Sequence, residues 1–145
     1  MAKYEIKDGV GIIPEGTTCI ESYAFQNCKE LKSIVIPKSV KEIRWNAFEG
    51  CTGLTGELVI PDNITYLGEN AFKDCSGLTS LKIGRNVKTN YLWTSVFSGC
   101  TSLTKIEFNS EYIGNWGFIN ISSIKEIVIG ENVKSIYYQI GRAHV

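Results

Sequence analysis

The sequence predicts a β-rich solenoid: a short right-handed array of about five coils, each 21–25 residues long, with short parallel strands, irregular or 3₁₀-like turns and almost no regular helix. Three observations carry this reading. Phenylalanine returns at Phe25, Phe48, Phe72, Phe97 and Phe118, in steps of 23, 24, 25 and 21 residues. Six residues after each comes Leu31, Leu54, Leu78, Leu103 or Ile124. Behind these, Ile34-x-Ile36-Pro37 and its later copies show the strict alternation of a half-buried strand. Self-similarity at a period of this length marks a repeat array, whose units bury their apolar faces only by stacking.

Taken in order, Ile6 to Tyr23 reads as an incomplete coil in which Ile13 and Ile20 take the places of Ile36 and Ile43. The front half, with its Phe and Cys, is missing or degenerate, so residues 1–23 are expected to form a partial N-terminal coil or a cap. A terminal repeat must not offer a bare apolar face. Residues 24–139 form the solenoid. In its first coil Ala-Phe-x-x-Cys-x-x-Leu is too short for a stable α-helix and suits a 3₁₀-like turn. Pro37 stops the strand, since it has no ladder donor, and Val40-x-x-Ile43 makes a second extended segment on the far side. Ala24, Phe25, Cys28, Leu31, Ile34, Ile36, Val40 and Ile43 are expected inside. Later coils keep these positions and absorb insertions between them: one residue near Gly56 and two within Thr89–Thr94, against two lost between Phe108 and Ile113. Ile140 to Val145 breaks the pattern and reads as the in-frame translation of a sequencing adapter. The gene is then expected to continue past Gln139 with further coils.

The unit Ala-Phe-x-x-Cys-x-x-Leu-x-x-Ile-x-Ile-Pro-x-x-Val-x-x-Ile resembles the BspA-like class of leucine-rich repeat, from Ile12 to about Gln139. Coil five departs most, with Gly117 for Ala and Ile121 for Cys. The resemblance implies a curved leucine-rich-repeat solenoid of a kind frequent in surface and secreted proteins of bacteria and some protozoa. It also implies adhesion to host or neighbouring-cell proteins, with this chain one segment of a longer surface or secreted protein.

Composition narrows the chemistry. Fifteen basic and fifteen acidic residues give a formal charge of +0, which removes the electrostatic case for nucleic acid or an anionic membrane as partner. No apolar run is long enough to span a bilayer, and the N-terminus lacks the apolar core of a secretory signal. Asp8, Asp62 and Asp74 are scattered among turns, and the single histidine, His144, lies in the excluded tail. No Ser/His/Asp or Cys/His set can be assembled, and Glu107 with Glu111 reads as solvated surface. The chain is therefore expected to be non-enzymatic and to need no cofactor. Cys28, Cys51, Cys75 and Cys100 share one position in successive coils. Without a C-x-x-C pair a metal site is disfavoured, and stacked side chains point alike instead of toward one another, against disulfides. Ile121 at the same position favours a buried column of free thiols chosen for packing. The sequons at Asn63 and Asn120 each place a core Ile at their centre, so the repeat itself explains them.

The functional lead is the set of outward strand positions. Alternation puts Ser33, Glu57, Ser80, Lys105 and Glu126 in one column and Val35, Val59, Lys82, Glu107 and Val128 in another. Such an extended face suits a protein partner, with Val35 and Val59 as a small apolar centre. The alternative is an aromatic edge of Trp45, Tyr66, Tyr91, Trp93 and Trp116, aromatics being common interface anchors. From another functional class comes a structural spacer that supports a further domain.

Overall fold

The computed structural model describes residues 3–88, 95–113 and 121–136. Twelve short strands lie along it: β1 (Ile6–Lys7), β2 (Val10–Gly11), β3 (Cys19–Ile20), β4 (Ser33–Ile34), β5 (Glu42–Ile43), β6 (Gly56–Ile60), β7 (Tyr66–Leu67), β8 (Leu78–Ile83), β9 (Lys105–Phe108), β10 (Tyr112–Ile113), β11 (Glu126–Ile129) and β12 (Ser135–Ile136). No helix occurs among the described residues. Strands stack coil upon coil. On one side β2 pairs with β4, and β6, β8, β9 and β11 form a four-stranded sheet; on the other β3-β5-β7 and β10-β12 pair. All these pairings are parallel, as expected when each coil advances the chain by one strand spacing. The register shift between β6 and β8 falls at Gly56/Glu57, where spacing put the extra residue of coil two.

The segment from Phe to Leu is a pair of successive 3₁₀-like turns that share the cysteine. In coil one the Cys28 N–H donates to Phe25 O at 3.0 Å and the Leu31 N–H to Cys28 O at 3.2 Å, both across three residues. The same pair recurs from Phe48, Phe72 and Phe97. Coils also hydrogen-bond through these turns: Phe25 N donates to Ala47 O at 2.7 Å, Phe48 N to Ala71 O at 2.7 Å and Phe72 N to Val96 O at 2.9 Å. Main-chain groups are thus satisfied even where no strand exists, which a buried turn requires.

Inside, the phenylalanines stack face to face. Centroids are 5.1 Å apart for Phe25–Phe48, 4.9 Å for Phe48–Phe72 and 5.6 Å for Phe72–Phe97, with planes within 11°. Of the inward positions expected in coil one, six are buried, while Ile34 and Ile36 are half-buried and pack against the core. Ile34 faces Gly11 of β2, which has no side chain to cover it. A Cβ on Gly11 would run into Ile34 and Leu31.

Residues 4–11 contribute something the repeat unit does not contain. Tyr4 lies over Phe25 at 5.5 Å and 27°, extending the aromatic stack by one ring. Burial pushes its phenol above the ordinary range, and Cys19 adds to the shift. Asp8 and Gly9, with φ of 51° and 79°, form the tight turn that reverses the chain, so β1 runs antiparallel to β2.

The first three coils each bend twice through the left-handed region, and the fourth bends so at Gly99. One column holds Tyr23, Asn46 and Asn70, with φ of 63°, 57° and 59°; the other holds Asn27, Gly50, Asp74 and Gly99. Asparagine and glycine tolerate this region, whereas a bulky side chain there costs about 1–2 kcal/mol. Tyr23 is an exposed ring in that position. Tyr23→Asn should therefore raise the urea midpoint, by about 1 kcal/mol of stability. A lowered midpoint would mean that ring contacts outweigh the backbone strain.

Candidate functional site

The four-stranded sheet carries the two outward columns in register. Glu57, Ser80, Lys105 and Glu126 are successive Cα partners, as are Val59, Lys82, Glu107 and Val128. Between them Leu58, Leu81 and Ile106 turn inward and are buried, so the alternation leaves the outward side chains without a structural task in the core. Ser33 and Val35 occupy the equivalent positions of coil one, Ser33 paired with Val10 in β2.

Polarity changes along this face. Ile12, Val35 and Val59 are 41%, 71% and 46% exposed, and the parallel β2–β4 register sets Ile12 in line with Val35. Sequence reasoning missed Ile12 because the coil that holds it looked degenerate. Between Val59 and Val128 the face is charged and internally matched: Lys82 Nζ lies 3.9 Å from Glu107 Oε1 and Lys105 Nζ 3.8 Å from Glu126 Oε1, and beside them Ser80 Oγ donates to Glu57 Oε2 at 3.5 Å. Exposed pairs of this sort contribute at most about 1 kcal/mol, so a partner can exchange them for its own groups at little loss.

On the opposite side, the β3-β5-β7 sheet and the turn after it carry part of the aromatic edge. Trp45 is 57% exposed and its Nε1–H donates to the Tyr66 hydroxyl at 3.2 Å. Glu42 and Arg44 pair at 3.3 Å beside them. With Ser22, these four residues line an open cleft of about 300 Å³. Tyr91, Trp93 and Trp116, the rest of the expected edge, lie outside the described residues, as do Phe118 and 140–145.

The thiols form the column that the repeat implied. Cys28, Cys51, Cys75 and Cys100 are buried and, like the half-buried Cys19, carry free thiols. Three of them donate to the phenylalanine carbonyl of the preceding coil: Cys51 Sγ to Phe25 O at 3.0 Å, Cys75 to Phe48 O at 3.1 Å and Cys100 to Phe72 O at 3.3 Å. Burial pushes Cys51 and Cys100 up to about 12 and raises Cys75 as well, so nucleophilic thiolate is suppressed in the column. Ile121 at the equivalent place in coil five is buried too. Asn63 Nδ2 donates to Pro37 O at 3.1 Å and Val40 O at 2.7 Å, which ties this sequon's amide into the stack. Among the described residues no helix is long and apolar enough to cross a membrane.

Comparison with known proteins agrees with this geometry. The family model described as BspA type leucine rich repeat region matches residues 17–140, in six copies. No curated protein matches the chain in a sequence search. Among solved structures, the T. pallidum leucine rich repeat protein TpLRR is 24% identical, with a TM-score of 0.64 over 81% of this chain and 55% of that one. A leucine-rich repeat protein from Eubacterium ventriosum is 26% identical, with a TM-score of 0.69 over 88% of this chain and 38% of that one. The chain thus spans about half, or less, of the length of these two proteins. With the family's unit repeated over residues 17–140 and its coils stacked as described, the chain belongs to the BspA-type leucine-rich-repeat family.

Proposed function

We propose that this chain is a non-enzymatic protein-binding segment of a longer surface or secreted protein, used in adhesion, and that it binds through the outward face of β6, β8, β9 and β11. The supporting observation is the pair of in-register columns from Glu57 to Glu126 and from Val59 to Val128. Many weak contacts can add along one continuous surface, and leucine-rich repeats generally serve as scaffolds for protein interaction. The surface or secreted location rests on the resemblance of the repeat to BspA-like proteins. Residues 1–23 act in this reading as the cap of the array, with the Tyr4 ring and the antiparallel β1 finishing the first coil.

Binding at this face makes Val59→Glu and Lys82→Glu each weaken capture of a host-cell or neighbouring-cell surface protein by at least about tenfold, which is roughly 1.4 kcal/mol. Their thermal melts should move little, since outward substitutions usually shift stability by less than about 0.5 kcal/mol. Trp45→Ala, on the other side of the coil, should be silent. Loss of capture in Trp45→Ala with both strand variants unaffected would transfer the site to the aromatic edge.

A further inference from the structure

We propose that the cleft lined by Ser22, Glu42, Arg44, Trp45 and Tyr66 binds a neutral pyranose sugar. This site is distinct from the strand face and does not depend on the protein-binding reading.

A tryptophan left more than half exposed has apolar area that water solvates poorly, and Trp45 keeps its ring there on a fixed mount. Its only N–H is committed to the Tyr66 hydroxyl of the next coil at 3.2 Å, which restricts the indole and leaves the ring faces as the contact surface. Under it, β5 lies between β3 and β7 and pairs with both. Both edges of β5, which carries Glu42 and leads into Arg44 and Trp45, are therefore taken, and an extended peptide cannot add a strand there. Recognition must come from side chains.

Those side chains specify the ligand's charge. The Glu42 carboxylate and the Arg44 guanidinium meet at 3.3 Å through one N–H and one oxygen. They cancel as charges, which disfavours an isolated phosphate or ammonium. A guanidinium has five N–H groups and a carboxylate two oxygens, so the pair can still serve hydroxyls as both donor and acceptor; Ser22 adds a hydroxyl of its own. An aromatic face flanked by neutral-sum hydrogen-bonding groups matches a ring with an apolar C–H face and hydroxyls on its rim. At about 300 Å³ the cleft stands at the small end of ligand sites. Being open, it fits one sugar ring, with affinity of order ~1–10 mM for so few contacting atoms.

Amide and indole correlation NMR on the full chain tests this. Methyl β-glucopyranoside, methyl β-galactopyranoside and N-acetylglucosamine are titrated separately into the tens of millimolar, with glycerol as the acyclic control. The expected result is a saturable shift of the Trp45 indole resonance with at least one sugar and none with glycerol. Trp45→Ala should abolish the remaining shifts around Glu42 and Tyr66, Glu42→Gln and Tyr66→Phe should weaken binding several-fold, and Val59→Glu should leave it unchanged. The melts of Glu42→Gln and Tyr66→Phe guard against a folding artefact in the larger truncation. No saturable shift with any of the three sugars overturns the proposal, as does an equal response to glycerol. Unchanged affinity in Trp45→Ala overturns it too, as does a Trp45→Ala variant that loses a protein partner while no sugar moves the resonance.

Discussion

Phe72→Ala should destabilise the solenoid by about 4 kcal/mol, a large part of the stability of a small domain. The side chain is fully buried, with a ring above and a ring below at 4.9 and 5.6 Å. Removing it takes one stacking contact from each of Phe48 and Phe97. The space cannot close, because the hydrogen bonds Phe48 N to Ala71 O and Phe72 N to Val96 O fix the coil spacing on either side. Phe72→Leu, which refills most of the volume, should recover more than half of the loss. Urea denaturation of the three proteins measures both effects. A loss below about 1.5 kcal/mol in Phe72→Ala would mean that the ladder relaxes around the gap.

Alkali should act as a second, independent denaturant. In the folded protein Cys51 and Cys100 titrate near 12 and Cys75 is raised, against an ordinary value of 9.0. The unfolded chain loses these three protons around pH 9 while the folded chain keeps them. Stability is then fully present below pH 9 and falls as the pH rises from there toward 12. Each thiol contributes about 1.4 kcal/mol per pH unit. Between pH 8 and 10 the three together should remove about 4 kcal/mol. Urea midpoints under a reductant at pH 8, 9 and 10 show this, and Cys75→Ala should flatten the slope by about a third while lowering stability at pH 8. An identical slope in that variant would place the alkaline sensitivity on other groups.

The stacked strands and their faces were readable because a repeat writes each inward and outward position several times. Leu58, Leu81 and Ile106 are inside and Val59, Lys82 and Glu107 outside for the same period-two reason. What occurs once was not readable. Tyr4 extends the phenylalanine stack by one ring from a position that no copy of the unit predicts. Ile12 was passed over because its coil lacks the Phe and Cys that identify the others. Trp45 and Tyr66 were visible as aromatics, yet their contact is diagonal: Tyr66 is the Cα partner of Glu42, and Trp45 reaches across from three residues further on. A pattern in one dimension does not contain that diagonal.

The left-handed column before each cysteine has a rhythm of its own. It alternates Asn27, Gly50, Asp74, Gly99: a side chain in one coil, a bare backbone in the next. The Asn27 amide occupies the room that a Cβ on Gly50 would need, and the Asp74 carboxylate does the same over Gly99. The true period of this edge is therefore two coils, although the core repeats with every coil. Unequal recombination that removed the coil containing Gly50 would set Asn27 against Asp74, a collision of side chain with Cβ. Removing two adjacent coils would restore the alternation. A coil that carries the side chain at this position can be lost singly, leaving glycine beside glycine, whereas a glycine coil can be lost only together with a neighbour, and a lone inserted coil must bring a glycine here or disturb its neighbours.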